Sequence, residues 1–142
     1  SYSAGDGDGR RLPEVVLATS LKEDLGARDF TINAMAFDPA RGLLYDAFGG
    51  LQDAEARVLR AVTVPAMDTL RADGLRTLRA YRFLGTAVED ERPWRLDQEL
   101  AEALAEAAPL LAKSSPERIW KELRQILSRP FAPVVLRRMA ED

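Results

Sequence analysis

The hydrophobic pattern changes once along this chain, near Pro65, and that change sets its architecture. Before Pro65, short apolar runs are separated by turn signals. Residues 14–19 (EVVLAT) are rich in β-branched side chains and predict a strand. Ser20, with Glu23 three residues on, forms a capping box for a short helix that Gly26 ends. Residues 29–37 (DFTINAMAF) are apolar and fit either helix or strand. Residues 38–42 (DPARG) read as a hairpin turn, and residues 43–45 as the return strand. A tight turn at Phe48-Gly49-Gly50, a helical turn over 53–57 and a strand over 58–64 complete this part. Beyond Pro65 the apolar spacing becomes helical, with helices expected over 68–84, 97–107, 116–128 and 131–140. Asp97 caps the second, and Ser115-Pro116 opens the third with an N-cap and a first-turn proline. The expected fold class is α+β: a small α/β unit over residues 1–66, then an all-α unit of about four helices over residues 67–142.

Composition narrows the chemistry. The chain has no cysteine, which excludes disulfide staples and thiolate metal sites. It has no histidine, which removes imidazole from acid–base catalysis and metal binding. Carboxylates, Arg, Lys, hydroxyls and backbone amides must carry any reaction. No apolar run approaches the 18 residues or so of a membrane span. The net charge of −3 argues against a non-specific nucleic-acid coat over the whole chain, but the charge is unevenly spread. Arg71, Arg76, Arg79 and Arg82 face Asp73 alone between residues 71 and 82, and residues 113–129 are basic again. Between them, residues 89–106 are strongly acidic.

The chain opens without Met on a Gly/Asp-rich stretch, which reads as the start of a segment cut from a longer protein. Asp6 and Asp8 are spaced like a metal-binding carboxylate pair, but their Gly neighbours favour a turn.

The most unusual stretch is residues 70–84 (LRADGLRTLRAYRFL). At about 100° per residue, Leu70, Leu75, Leu78, Tyr81 and Leu84 share one arc, with Arg82 on the same side. Arg76 and Arg79 lie opposite, beside Ala72 and Phe83, with Asp73 at the edge. Two readings are open. The arginines form a solvated face with one i,i+3 ion pair between Asp73 and Arg76. Alternatively they face a cleft and offer their planar forks to a phosphate or a base edge, with Asp73 holding Arg76 still.

Four motifs in order decide between these readings. Residues 27–38 (ARDFTINAMAFD) resemble the RRDFTxNA motif of class II tRNA nucleotidyltransferases and bacterial poly(A) polymerases. Residues 45–53 (YDAFGGLQD) resemble the DPFGGxxD motif that follows it. Residues 72–76 (ADGLR), continued by 79–83 (RAYRF), resemble the EDxxR motif. Residues 115–123 (SPERIWKEL) resemble the SxERIxxEL start of a neck helix.

The resemblance implies the C-terminal part of a nucleotidyltransferase-type α/β head followed by an all-α neck. It implies template-independent addition of CMP or AMP from CTP and ATP to RNA 3′ ends, most plausibly tRNA, in the cytoplasm. It places Arg28, Asp29 and Asn33 around the ribose and triphosphate. It gives Asp73 and Arg76 the Watson–Crick-like acceptors and donors that read the incoming base. It gives Arg79 and Arg82 support of the triphosphate or of the helix. Two Mg²⁺ ions are implied for the intact enzyme, held by a DxD pair upstream of Ser1, so no catalytic or metal residue is assigned within the chain. Glu117 and Arg118 are expected to be structural, and Phe48, Trp94, Trp120 and Phe131 to pack. Ala27 stands where the motif has its first Arg, and Ala72 where it has Glu. The first change removes a phosphate contact, and the second removes the group expected to orient Arg76. A binding module of the same fold without transfer is the alternative.

Overall fold

The computed structural model describes residues 14–86, 92 and 94–142. Asp6 and Asp8 lie outside the described residues.

The chain enters as helix α1 (Glu14–Gly26). The strand expected over 14–19 is therefore helix, and Ser20 is internal to α1 rather than its cap. Nothing between Glu14 and Gly26 breaks a helix, and the β-branched penalty is only about half a kcal/mol per residue, so this local preference is overridden. A single 3₁₀ turn (Thr31–Asn33) follows, then β1 (Ala36–Asp38) and β2 (Leu43–Tyr45), paired antiparallel with Phe37 opposite Leu44. The expected hairpin turn is present: Asp38 Oδ1 accepts the N–H groups of Ala40 and Arg41, and Gly42 has φ 63°.

Asp46 accepts the N–H groups of Gly50 (2.7 Å) and Leu51 (3.0 Å) and so anchors the start of α2 (Gly50–Ala56). Gly50 permits a close approach, because a Cβ there would lie 2.2 Å from the Thr31 carbonyl oxygen. The strand expected over 58–64 is short. β3 (Val58–Leu59) pairs in parallel with β4 (Arg95–Leu96), and Ala61 forms one antiparallel bridge with Phe30. The Thr63 and Thr69 hydroxyls, 2.7 Å apart, then turn the chain into helix.

The helix expected over 68–84 is two helices, α3 (Ala66–Ala72) and α4 (Leu75–Thr86). The break falls at Asp73-Gly74, where Asp73 is extended (φ −154°, ψ 111°). A Cβ on the buried Gly74 would lie 2.4 Å from the Leu110 carbonyl oxygen, so only glycine lets the turn pack there. α5 (Gln98–Glu106), a 3₁₀ stretch (Ala108–Lys113), α6 (Pro116–Leu127) and α7 (Ala132–Glu141) follow close to expectation. Ser115 Oγ accepts the Arg118 N–H as the N-cap of α6.

The core is one cluster around Phe30, Leu59, Leu70, Leu100, Ile126 and Phe131. It joins the 3₁₀ turn and β3 to α3–α7, while a smaller cluster of Leu25, Ala34 and Val62 lies under α1. α4 is central, with α3, α6 and α7 packed on it. Phe131 is buried as expected, but Trp120 is 56% exposed on α6. A buried polar clamp fastens the Gly-Gly turn: Thr31 Oγ1 donates to Asp53 Oδ2 (2.6 Å), and Arg60 bridges Asp53 to Asp97. No helix among the described residues is long and apolar enough to cross a membrane.

Candidate functional site

Asp29 sits where the chain leaves α1, pinned by the bridge between Phe30 and Ala61. Its Oδ1 accepts the Phe30 N–H (2.7 Å) and the Asn33 side-chain amide (3.1 Å). Its Oδ2 faces Arg79, with Nε at 2.7 Å and Nη2 at 2.6 Å. Burial alone would raise the Asp29 pKa, but the donors from Asn33, Phe30 and Arg79 together hold the carboxyl below its ordinary range. Arg28 donates to the Asn33 carbonyl (3.2 Å) and lies 3.5 Å from Asp24. Arg28, Asp29, Asn33 and Arg79 thus form one connected group, although 50 residues separate Asp29 from Arg79.

The helix break forms the opposite wall. Asp73 Oδ1 accepts the Leu75 N–H (3.1 Å) at the start of α4. Its Oδ2 pairs with Arg118 Nη2 at 2.8 Å. The expected pair between Asp73 and Arg76 does not form. That i,i+3 geometry needs a continuous helix, and Asp73 has left helical conformation. Arg76 is held by backbone instead: Nη1 donates to the Thr69 carbonyl (3.1 Å) and Nη2 to the Ala27 carbonyl (2.6 Å). The carbonyls of Thr69 and Ala27 therefore orient this guanidinium without a Glu at position 72.

Between these walls lies a cavity of about 640 Å³. It is lined by Arg28, Asp29, Asn33, Asp73, Arg76 and Arg79, and also by Ala27, Leu75, Phe83, Arg118 and Glu122. Six of the seven residues singled out in the sequence are thus brought together. Arg82 is not among them: it turns toward α6, where its Nε lies 3.5 Å from Glu122 and its Nη1 donates to Gln125. Arg118 and Glu122, from the motif read as structural, line the cavity instead. Their spacing on α6, one helical turn apart, was the available signal.

The cavity's acids are already engaged. Asp29 is bound to Arg79 and Asp73 to Arg118, and Glu122 stands between Arg79 (3.9 Å) and Arg82 (3.5 Å). Among the described residues no three His, Cys, Asp or Glu side chains are grouped so as to hold a metal ion. The carboxylates of this cavity therefore do not fit a magnesium centre.

The scaffold is α+β, and its helices and 3₁₀ turn wall a polar, arginine-rich cavity. Comparison with known proteins gives the family. Residues 2–60 match the poly A polymerase head domain, and residues 95–142 match the probable RNA and SrmB-binding site of polymerase A. A CCA-adding enzyme of Streptococcus gordonii is 46% identical over 124 residues, 87% of this chain and 29% of that protein. The Thermotoga maritima CCA-adding enzyme, solved in complex with tRNA, superposes with TM-score 0.73 at 35% identity, over 85% of this chain and 29% of that one. The Bacillus stearothermophilus CCA-adding enzyme, solved in complex with CTP, gives TM-score 0.71 at 40% identity, over 82% of this chain and 28% of that one. The chain belongs to the poly(A) polymerase and CCA-adding enzyme family of nucleotidyltransferases, and it spans less than a third of the length of each of these relatives.

Proposed function

We propose that this segment is the nucleotide-recognition part of a template-independent nucleotidyltransferase that adds CMP and AMP from CTP and ATP to RNA 3′ ends, with tRNA as the RNA. The observation that carries this reading is the convergence of Arg28, Asp29, Asn33, Asp73, Arg76 and Arg79 on one cavity. In this reading the boundary between head and helical neck falls near residue 66, and the cavity lies between the two. A binding module without transfer is not favoured, because the relatives are named for nucleotide addition.

The roles follow from the contacts. Asp73 and Arg76 offer acceptors and donors on one side of the cavity, as reading a base edge without a template requires. Arg118 and the Leu75 N–H hold Asp73, and the carbonyls of Ala27 and Thr69 hold Arg76, so the pair is set before the nucleotide arrives. Arg79 neutralises Asp29 at the floor, and Asn33 with Arg28 is left beside it for ribose and phosphate. The Mg²⁺ that the family implies finds no carboxylate group suited to hold it among the described residues, so the part proposed for this segment is nucleotide recognition alone.

Titration of CTP and ATP into the chain tests the reading. Arg76→Ala should weaken binding by about 1–3 kcal/mol, the cost of losing a charged hydrogen bond. An unchanged titration refutes the base-reading role.

A further inference from the structure

Arg60 holds the segment behind the nucleotide cavity at two points. Its carbonyl accepts the Thr31 N–H (3.0 Å), and its guanidinium pairs with Asp53, the carboxylate that accepts the Thr31 hydroxyl. Two residues on, the Val62 N–H donates to the Asp29 carbonyl (3.1 Å). The same stretch is bound on its other side to the chain that enters α5. There the Arg95 N–H donates to the Arg57 carbonyl and the Asp97 N–H to the Leu59 carbonyl, both at 2.9 Å. Residues 57–62 are therefore a rail between the segment that carries Asp29 and Asn33 and the start of α5.

The Arg60 side chain braces this rail. Its Nε lies 3.1 Å from Asp53 Oδ2, and its Nη1 lies 2.8 Å from Asp97 Oδ1, 37 residues along the chain. A planar fork can serve two carboxylates in different directions, whereas an ammonium is a single point charge. The side chain is 46% exposed, so its pair with Asp97 adds little to folding. Its larger effect is on direction: Asp53, Thr31 and the 3₁₀ turn are tied to the start of α5. That turn ends at Asn33, whose side-chain amide donates to Asp29 and whose carbonyl holds Arg28.

We propose that Arg60 is a positioning residue for the nucleotide cavity: bridged between Asp53 and Asp97, it holds the 3₁₀ turn, and through the turn it sets Asn33, Asp29 and Arg28 for the ribose and phosphates. Arg60 is not among the described residues that line the cavity, so it acts only through these others. The inference rests on the proposed function and adds to it a residue outside the cavity. One substitution separates position from charge. Asp97→Asn removes a negative charge, and on charge alone it should tighten the binding of CTP, an anion. Through the bridge it loosens the guanidinium that steadies the turn, and it should weaken the binding of CTP.

CTP titration and amide hydrogen exchange on the full 142-residue chain test this. Asp97→Asn should weaken CTP binding about 3-fold, and Arg60→Lys, which keeps the charge but not the fork, about 5-fold. In both variants exchange at the Thr31, Asn33 and Ala34 amides should rise about 5-fold, while the amides of α7 keep wild-type rates. CTP affinity that is unchanged or tighter in Asp97→Asn overturns the proposal, as does wild-type affinity in Arg60→Lys. Unchanged exchange at the turn overturns it too, and so does an equal rise in α7, which would place the role of Arg60 in global stability. A wild-type chain that binds no CTP overturns the nucleotide-cavity reading and the purpose assigned to Arg60 with it, and faster exchange at the turn would then show the bridge alone.

Discussion

Arg118 reaches back across 45 residues to place its guanidinium 2.8 Å from the carboxylate of Asp73. The contact ties the first turn of α6 to the break between α3 and α4. It also decides how Asp73 presents itself, because its other oxygen already caps α4 through the Leu75 N–H. The pair is half exposed on the arginine side, so its contribution to folding is small and its contribution to orientation is the larger effect.

Arg118→Ala should therefore lower stability by less than about 1 kcal/mol. CTP and ATP affinity should fall by about 5-fold, as a carboxylate that must be ordered on binding adds an entropic cost. Urea unfolding and calorimetric titration on the same preparation check this. A large stability loss with affinity preserved would place the role of Arg118 in the fold alone.

The buried pair of Asp29 and Arg79 gives a pH dependence. The folded-state pKa of Asp29 is lowered, so its contribution to stability is fully present above the unfolded value of about 4. It is lost as pH falls from there through the folded value. Asp29→Asn should cost about 2–3 kcal/mol at pH 7, because it leaves the half-buried Arg79 with a weaker partner. The difference between wild type and variant should shrink as the pH approaches 3. Denaturant melts at pH 7, 5 and 3 measure it, and a pH-independent difference would contradict this assignment.

Gly74→Ala should destabilise the chain by about 1–3 kcal/mol, since the new methyl meets the Leu110 carbonyl oxygen at 2.4 Å and one side must move. Gly42→Ala, at an exposed turn with φ 63° and nothing within 4 Å, should cost only its backbone strain of about 1 kcal/mol. Thermal melts of the two variants compare a packing requirement with a conformational one.

Thr31→Val should remove the 2.6 Å hydrogen bond to Asp53 while keeping the side-chain shape. Among the described residues Arg60 is then the side chain left to pair with the buried carboxylate, and stability should fall by about 1–2 kcal/mol. Amide hydrogen exchange should show the loss concentrated in α2 and the preceding Gly-Gly turn.

Local signals in the sequence were enough for the elements that depend on nothing distant. The DPARG turn, the Ser115-Pro116 start of α6 and the apolar spacing of α5 and α7 act within one or two turns of chain, and each appears in place. The arginine-bearing motif and its partner near residue 28 were likewise legible, because residue order and spacing carry a family resemblance directly. Tertiary packing decided the rest. The Leu110 carbonyl, pressed against Gly74, goes with the break that divides one expected helix into α3 and α4. With that break, Asp73 is paired with Arg118 rather than Arg76, and Arg76 turns to the carbonyls of Ala27 and Thr69. The packing of α6 against α4 drew Arg82 out of the nucleotide cavity and Arg118 and Glu122 into it. Three of these pairs lie 45 to 50 residues apart, beyond the reach of any periodicity or cap, and only the assembled core fixes which guanidinium meets which oxygen.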